Sequence, residues 1–549
     1  MPKQSKKRKH EETSDQQLAN VDEHVDENID GTLFNEMTNV NDQLLSLSKK
    51  VKLVGHHYFV NNNCMIDEFV GNINEFLKEL DVHRRRVSSD QLNSDNLFHI
   101  YQFLDIPVLM NSCQLVSKMW RETLKRLSFK VRLGTASYSR RKSVKVGKEE
   151  ITSLLDGPFI KNVTSLSLFS AGVDTFQVLS NCKKLENLTK LNLASNNMGI
   201  QSVKNLKKCS MKNLTKLNLA NVKKFTEKEA KELLNSSFMS SVKKLDLTSH
   251  DFPKSFLQII SESKYLNQLT HLELAQHSQS GNEDYGLTEL LKDKVNLEYL
   301  GIRNHRLTLY PNFWTSLTNI TRLDLSYCSM PNSEFVNLIV SPSLPKLTTL
   351  KAENFNWGNA NIFGGPTAHY RQENSEVVQC PPNSQSSLTD LNLKSTYIST
   401  FPSLSYHCPN LKRLTISHSS ARYCENKNLL KSSYETFLSA PTLSNLEYLD
   451  ISDLACLESL FEIIFDSPVF SNLKELICQC CNMDGINLYE NLVSKCTNLV
   501  NLRKIDAHSV SASKACVKAL QTNPTFAKLR KVSINSYGKM EELLSYWNK

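Results

Sequence analysis

Apolar residues return along this chain in one figure, Leu-x-x-Leu-x-Leu or a close variant with Val, Ile, Met or Ala. Copies begin near Val163, Leu188, Leu214, Val242, Leu269, Leu297, Ile320, Leu347, Leu388, Leu411, Leu446, Leu473, Leu502 and Leu529. Successive starts lie about 27 residues apart, a period that belongs to stacked repeat architectures. Within each copy the last two leucines are two positions apart, so they share one face of a strand and the residue between them takes the other. One such unit cannot bury its own apolar stripe. Stacked neighbours can, each covering several side chains worth roughly 1.5 to 3 kcal/mol apiece.

The fullest copy, Leu188, Leu191, Leu193, Asn196 and Met198, follows the leucine-rich-repeat pattern at every position, and the array resembles that family. The resemblance implies an α/β fold: a curved solenoid with a parallel sheet on its concave face, spanning 161–549 in about fourteen repeats. Return segments such as Thr226 to Leu234 are polar or helical. Two intervals are long, Leu347 to Leu388 and Leu411 to Leu446, and read as insertions; the first holds Gly364, Gly365, Pro366, Pro381 and Pro382, a loop composition. The last two units depart from the pattern, with Ala507 at a leucine position and an alternative register through Leu499.

Ahead of the repeats the pattern changes twice. Residues 1–89 are polar and charged, with a basic run at Lys6, Lys7, Arg8 and Lys9 and acids at Asp22, Glu23, Asp26 and Glu27, which reads as a mostly disordered tail. The basic run fits either a nuclear-import signal or a solvated tail. From 90 to 133 apolar residues recur at helical intervals, predicting two or three short helices, and 134–160 lead into the solenoid.

The helical stretch carries Leu92, Leu97, Ile100, Phe103, Leu104 and Leu109, then Val116, Trp120, Arg121 and Leu124. In this order it resembles an F-box, although Asn93 stands where that family usually has proline and Val108 where it often has aspartate. The resemblance implies that Leu92, Leu97, Ile100, Leu104 and Leu109 dock on the adaptor subunit of a cullin-RING ubiquitin ligase, with Phe103, Val116, Trp120 and Leu124 holding the helices together. An F-box followed by leucine-rich repeats is itself a family arrangement. It implies a non-catalytic substrate receptor of an SCF-type ligase, tethered through the adaptor to a cullin and a RING protein, with the repeats binding a target for ubiquitination. The alternatives are a helical cap on a repeat scaffold that serves no ligase, or an RNA-associated scaffold.

Composition changes little in this picture. The chain has 549 residues, 40% hydrophobic and 22% charged, and a net charge of +9 spread along its length. No run of about 18 apolar residues suggests a membrane span, and no apolar leader follows the charged N-terminus, so a nuclear and cytoplasmic location is expected, with the 14 cysteines as free thiols. Cys182, Cys408 and Cys496 sit at buried entrances to strands. In that setting the Asn-x-Thr triplets at Asn187, Asn213 and Asn319 are consequences of recurring strand starts.

No phosphate loop, nucleophile elbow or zinc-ligand spacing is present, which points to no catalysis and no cofactor. Cys478, Cys480 and Cys481 lie too close along a strand to converge on a metal. His250, His277 and His305 occupy the asparagine position of three consecutive units. They read as replacements for asparagine in bonding the turn backbone, with a metal or a shared titration as the sharper alternative.

The outward residues between the leucines form a column over the concave face: Lys190, Lys216, Lys244, His271, Tyr299, Arg322, Thr349, Asp390, Arg413, Tyr448, Glu475, Lys504 and Lys531. Its basic and aromatic members, Lys190, Lys216, Lys244, His271, Tyr299, Arg322, Arg413 and Tyr448, are the candidate target-binding residues, suited to an acidic or phosphorylated protein. A neighbouring column of Asp246, Glu273, Asp324, Asp450 and Asp506 is expected to neutralise it. Nucleic acid is not indicated, because stacked aromatic platforms are missing.

Overall fold

The computed structural model describes residues 129–133 and most of 151–534. The segments 1–128, 134–150, 153–154, 157–159, 171–172, 250–253, 276–286, 308–312, 356–384, 397–401, 418–426, 455–457, 480–492, 508–513 and 535–549, with positions 183 and 306, lie outside the described residues. All nine F-box candidates, the glycine-proline insertion, and His250 and His277 fall in those segments.

The described residues build one parallel sheet of fifteen strands, stacked in chain order without a crossover. The strands are β1 Phe129–Leu133, β2 Val163–Leu168, β3 Lys190–Asn192, β4 Lys216–Asn218, β5 Lys244–Asp246, β6 His271–Glu273, β7 Tyr299–Gly301, β8 Arg322–Asp324, β9 Thr349–Lys351, β10 Asp390–Asn392, β11 Arg413–Thr415, β12 Tyr448–Asp450, β13 Glu475–Ile477, β14 Lys504–Ala507 and β15 Lys531–Ile534. α-Helices or short 3-10 turns return the chain between strands. The fold is a leucine-rich-repeat solenoid, an α/β array whose sheet does not close into a barrel.

The repeat leucines meet from strand to strand. Leu191 pairs with Leu217, Leu217 with Leu245, and Leu245 with Leu272, and the column continues through Leu476 to Ile505. These side chains are almost wholly buried. Behind them lies a second buried column three residues before each repeat start: Leu185, Met211, Met239, Leu266, Leu317, Leu344, Cys408, Leu443, Phe470, Leu499 and Phe526. Leu499 therefore belongs to this column, and Leu502 begins the strand unit, which settles the register of β14.

The sheet starts earlier than the leucine pattern indicates. β1 lies within the stretch read as the end of the helical segment, and it pairs with β2 through a register irregularity between Phe129 and Lys130. Its apolar residues alternate, as a strand requires, but lack the Leu-x-x-Leu lead-in that marks the other units.

Helices follow their local sequence. Residues Glu227–Leu234 form one, entered through Thr226, whose backbone N–H donates to the Glu229 carboxylate at 3.0 Å in a capping box. Ala230, Leu233 and Leu234 bury its inner face. Among the described residues no helix is long and apolar enough to cross a membrane.

Three devices shape the turn leaving each strand. First, the Asn or Asp ending the strand accepts the backbone N–H two residues on: Asn192 from Ala194 at 2.9 Å, Asn218 from Ala220 at 2.8 Å, Asp324 from Ser326 at 3.0 Å and Asp450 from Ser452 at 3.0 Å. Second, the residue three positions on adopts a left-handed φ, as at Ser195 (59°), Asn221 (53°), Ser249 (61°), Asn304 (65°), Asn354 (49°) and Asp453 (61°). Third, the next side chain reaches back one repeat to a carbonyl at or just past the strand end: Asn196 to Leu168 at 2.7 Å, Cys328 to Ile302 at 2.6 Å and Thr396 to Ala352 at 2.6 Å.

His305 takes that third position, and its Nε2 bonds the Leu274 carbonyl at 3.1 Å. Because the acceptor is a carbonyl, Nε2 carries the hydrogen, so the ring stands in for asparagine. It is fully buried, and burial pushes its pKa down to about 4.

A further ladder was not anticipated. The residue just before each strand unit bonds a carbonyl of the preceding repeat: Asn187 to Lys161 at 2.7 Å, Asn213 to Glu186 at 2.8 Å, Asn296 to Asn267 at 3.0 Å, Asn319 to Val295 at 2.9 Å and Asn472 to Ser444 at 2.9 Å. The recurring Asn-Leu pair is the signal that reveals it. The Asn-x-Thr triplets are thus functional parts of the stack. The threonine contributes too, with Thr215 Oγ1 donating to the Thr189 carbonyl at 3.0 Å and Thr321 Oγ1 to the Glu298 carbonyl at 3.0 Å.

Candidate target-binding face

The register places every member of the outward column in one row. Ser165 pairs with Lys190, Lys190 with Lys216, Lys216 with Lys244, Lys244 with His271, His271 with Tyr299, and Tyr299 with Arg322. The row continues through Thr349, Asp390, Arg413, Tyr448, Glu475 and Lys504 to Lys531. Adjacent members are separated by one strand spacing, about 4.8 Å. β1 adds Lys130, which pairs with Ser165 and is exposed.

The electrostatics divide the row into parts. At its centre, Lys244 Nζ lies 3.0 Å from His271 Nε2, while His271 Nδ1 is 2.9 Å from Thr270 Oγ1. Burial, then the Lys244 charge, holds the imidazole pKa below its ordinary value. His271 also stacks on Tyr299, with ring centroids 5.8 Å apart.

Tyr299 Oη donates to Glu273 Oε1 at 2.5 Å, and burial pushes both pKa values up. The Glu273 carboxylate lies over Gly301, filling space that any other residue there would claim. Arg303 links the network onward: its Nε is 2.9 Å from Asp324 Oδ2 and its Nη2 is 3.9 Å from Glu273 Oε2. Lys351 lies 3.2 Å from Glu353, which also accepts from Asn392 at 3.0 Å.

Towards the C-terminal end the row neutralises itself. Arg413 sits 3.5 Å from Asp390 and 4.0 Å over the Tyr448 ring, and Lys504 lies 3.5 Å from Glu475. Burial raises the Asp390 and Tyr448 pKa values.

The neighbouring acidic column behaves differently from the sequence expectation. Among the described residues its carboxylates form no ion pair with Lys190, Lys216 or Lys244. Asp246 instead accepts from Asn218 at 2.8 Å and from the Thr248 backbone at 3.1 Å. The strand-ending acids hold turns, or bind Arg303 and Lys351, whose positions beyond the strand pattern hid them.

Cys182, Cys209, Cys328, Cys408, Cys478 and Cys496 are free and buried. Burial raises the Cys209 and Cys328 thiols to about 12, which keeps them protonated and unreactive. No group of three His, Cys, Asp or Glu suited to a metal occurs among the described residues.

No family model and no curated protein matches the chain. Solved structures with related folds include a leucine-rich-repeat protein of Leptospira interrogans, at 15% identity over 68% of this chain and 79% of that one, with a TM-score of 0.33. An internalin of Listeria monocytogenes matches at 14% identity over 72% and 90%, with a TM-score of 0.31. The yeast complex of Rad7 and Elc1 matches at 15% identity over 81% and 98%, with a TM-score of 0.39. None reaches a similarity from which function transfers.

Proposed function

We propose that this chain is a substrate receptor of an SCF-type cullin-RING ubiquitin ligase and has no catalytic centre of its own. The single observation that carries this reading is the F-box-like stretch from Leu92 to Leu124 placed directly before a repeat solenoid. In this reading Leu92, Leu97, Ile100, Leu104 and Leu109 bind the adaptor subunit, and the solenoid binds a target. Tethering a target beside the ubiquitin-loaded enzyme raises the effective concentration of its lysines, the whole of what a receptor must contribute.

A second reading, a leucine-rich-repeat scaffold outside any ligase, draws on Asn93 and Val108, which depart from the F-box pattern. Adaptor affinity separates the two. The full chain is expressed with the adaptor subunit, beside a variant carrying Leu97→Asp and Ile100→Asp whose fold is checked by circular dichroism. Association that is lost in the folded variant supports the receptor; an original chain that does not associate leaves the scaffold.

A further inference from the structure

The target-binding row is not uniform. Four of its lysines lie at one end: Lys130 on β1, then Lys190, Lys216 and Lys244 on consecutive strands β3, β4 and β5. All four are exposed. Among the described residues Lys244 bonds only His271, whose pKa burial holds down, and Lys130, Lys190 and Lys216 have no carboxylate partner. Lys243, also exposed, lies beside Lys244 at the strand edge. The one acid ending a strand here, Asp246, is occupied by Asn218 and the Thr248 backbone. Like charges held about one strand spacing apart repel. An anionic partner reverses that sign.

We infer that β1 to β5 form a docking track for an extended, Asp/Glu-rich segment of a protein partner, lying across the strands. This deepens the receptor reading, on which it rests for its place in a ligase. Lys130 to Lys244 spans four strand spacings, about 19 Å, the length of roughly six extended residues. Distributed carboxylates fit this track better than one phosphate does. The described cations are separate ammonium groups, whereas tight phosphate recognition favours the bidentate arginine fork. Single-stranded nucleic acid fits less well, because Ser165, Asn192 and Asn218 offer no ring for a base to stack on.

The test measures binding to the full chain by fluorescence anisotropy, using three labelled probes: a short glutamate-rich peptide, the same peptide with its glutamates made glutamine and one serine phosphorylated, and oligouridine. Two folded variants are compared, Lys190→Glu with Lys216→Glu, and Arg503→Glu with Arg530→Glu as a charge-matched change at the far end and outside the row. The glutamate-rich peptide is expected to bind tightest, to weaken with salt, and to lose about tenfold or more in the first variant while the second leaves it within about twofold. Equal losses in both variants would show non-specific attraction to a basic chain and overturn the track. Tighter binding of the phosphopeptide or of oligouridine would overturn the partner assigned to it. Adaptor association measured on the same variants keeps the two readings apart: a failed track with an intact adaptor complex leaves the receptor standing, and the converse leaves a scaffold with an acidic ligand.

Discussion

His305 Nε2 donates to the backbone carbonyl of Leu274 one repeat away, at 3.1 Å, as Asn196 does to Leu168. The Nε2–H can donate in either charge state, and it is burial that penalises the protonated ring. Its pKa falls from 6.5 to about 4 on folding. Above pH 6.5 the ring is neutral in both folded and unfolded chains, and the full stability is present. As pH falls towards 4 the unfolded chain takes a proton that the native ring refuses, so stability drops, by roughly 3 kcal/mol at the limit. Urea midpoints at pH 7.5 and pH 5 should therefore differ more for the natural chain than for His305→Asn, which keeps the bond without the titration. Equal pH dependence in the two proteins would refute this assignment.

How much of this was readable beforehand depends on whether the physics is periodic. The strands from β2 onward, and the row from Lys190 to Lys531, follow from the spacing of leucines, because alternation alone decides which side chains face outward. β1 escaped because Phe129, Val131 and Leu133 alternate without the leucine lead-in. The role of Asp246 and Asp324 escaped for another reason: spacing shows the face a carboxylate occupies but not that its oxygen turns back to an N–H two residues on. The F-box candidates, Leu92 to Leu124, lie outside the described residues, and their docking role rests on the sequence resemblance.

Lys294 shows a misfit hidden within the pattern. It occupies the buried column otherwise filled by Leu266 and Leu317, with no surface exposed. Its ammonium donates to Asn267 Oδ1 at 2.8 Å and reaches the Ser261 carbonyl at 3.4 Å, and burial lowers its pKa. The acceptors belong to a half-buried residue, Ser261, and an exposed one, Asn267. Lys294→Met should raise stability by about 1 kcal/mol at neutral pH, since methionine fills similar space without a buried charge. The advantage should shrink as pH rises from the lowered native pKa to 10.5, because the unfolded lysine then also becomes neutral. A lower thermal midpoint for the Met variant at pH 7 would contradict this.

Tyr327 adopts φ 61° at the turn position where other repeats place Ser, Asn or Asp. A bulky side chain pays for that backbone, and small polar residues tolerate it better. Tyr327→Asn should accordingly stabilise the chain by about 1 kcal/mol, read as a rise in the denaturant midpoint at unchanged slope. Tyr327 is 51% exposed, so little buried packing is lost in return. A fall in the midpoint would mean that its side-chain contacts outweigh the backbone strain.

Gly301 and Glu273 are expected to be energetically coupled. A Cβ at position 301 would stand 3.0 Å from Glu273 Cδ and 3.1 Å from Tyr299 Oη, with Glu273 Oε2 closer still. Gly301→Ala must move the carboxylate, straining the Tyr299 hydrogen bond and weakening the approach of Arg303, so a loss of about 1 kcal/mol is expected. Glu273→Ala alone should also destabilise, by leaving the Tyr299 hydroxyl and Arg303 with fewer partners. In the double variant the new methyl enters space the carboxylate has vacated, so the combined loss should be smaller than the sum by about 1 kcal/mol or more. Additive losses would show that the carboxylate already has room to move, and that the small residue at position 301 does not hold this part of the concave face in place.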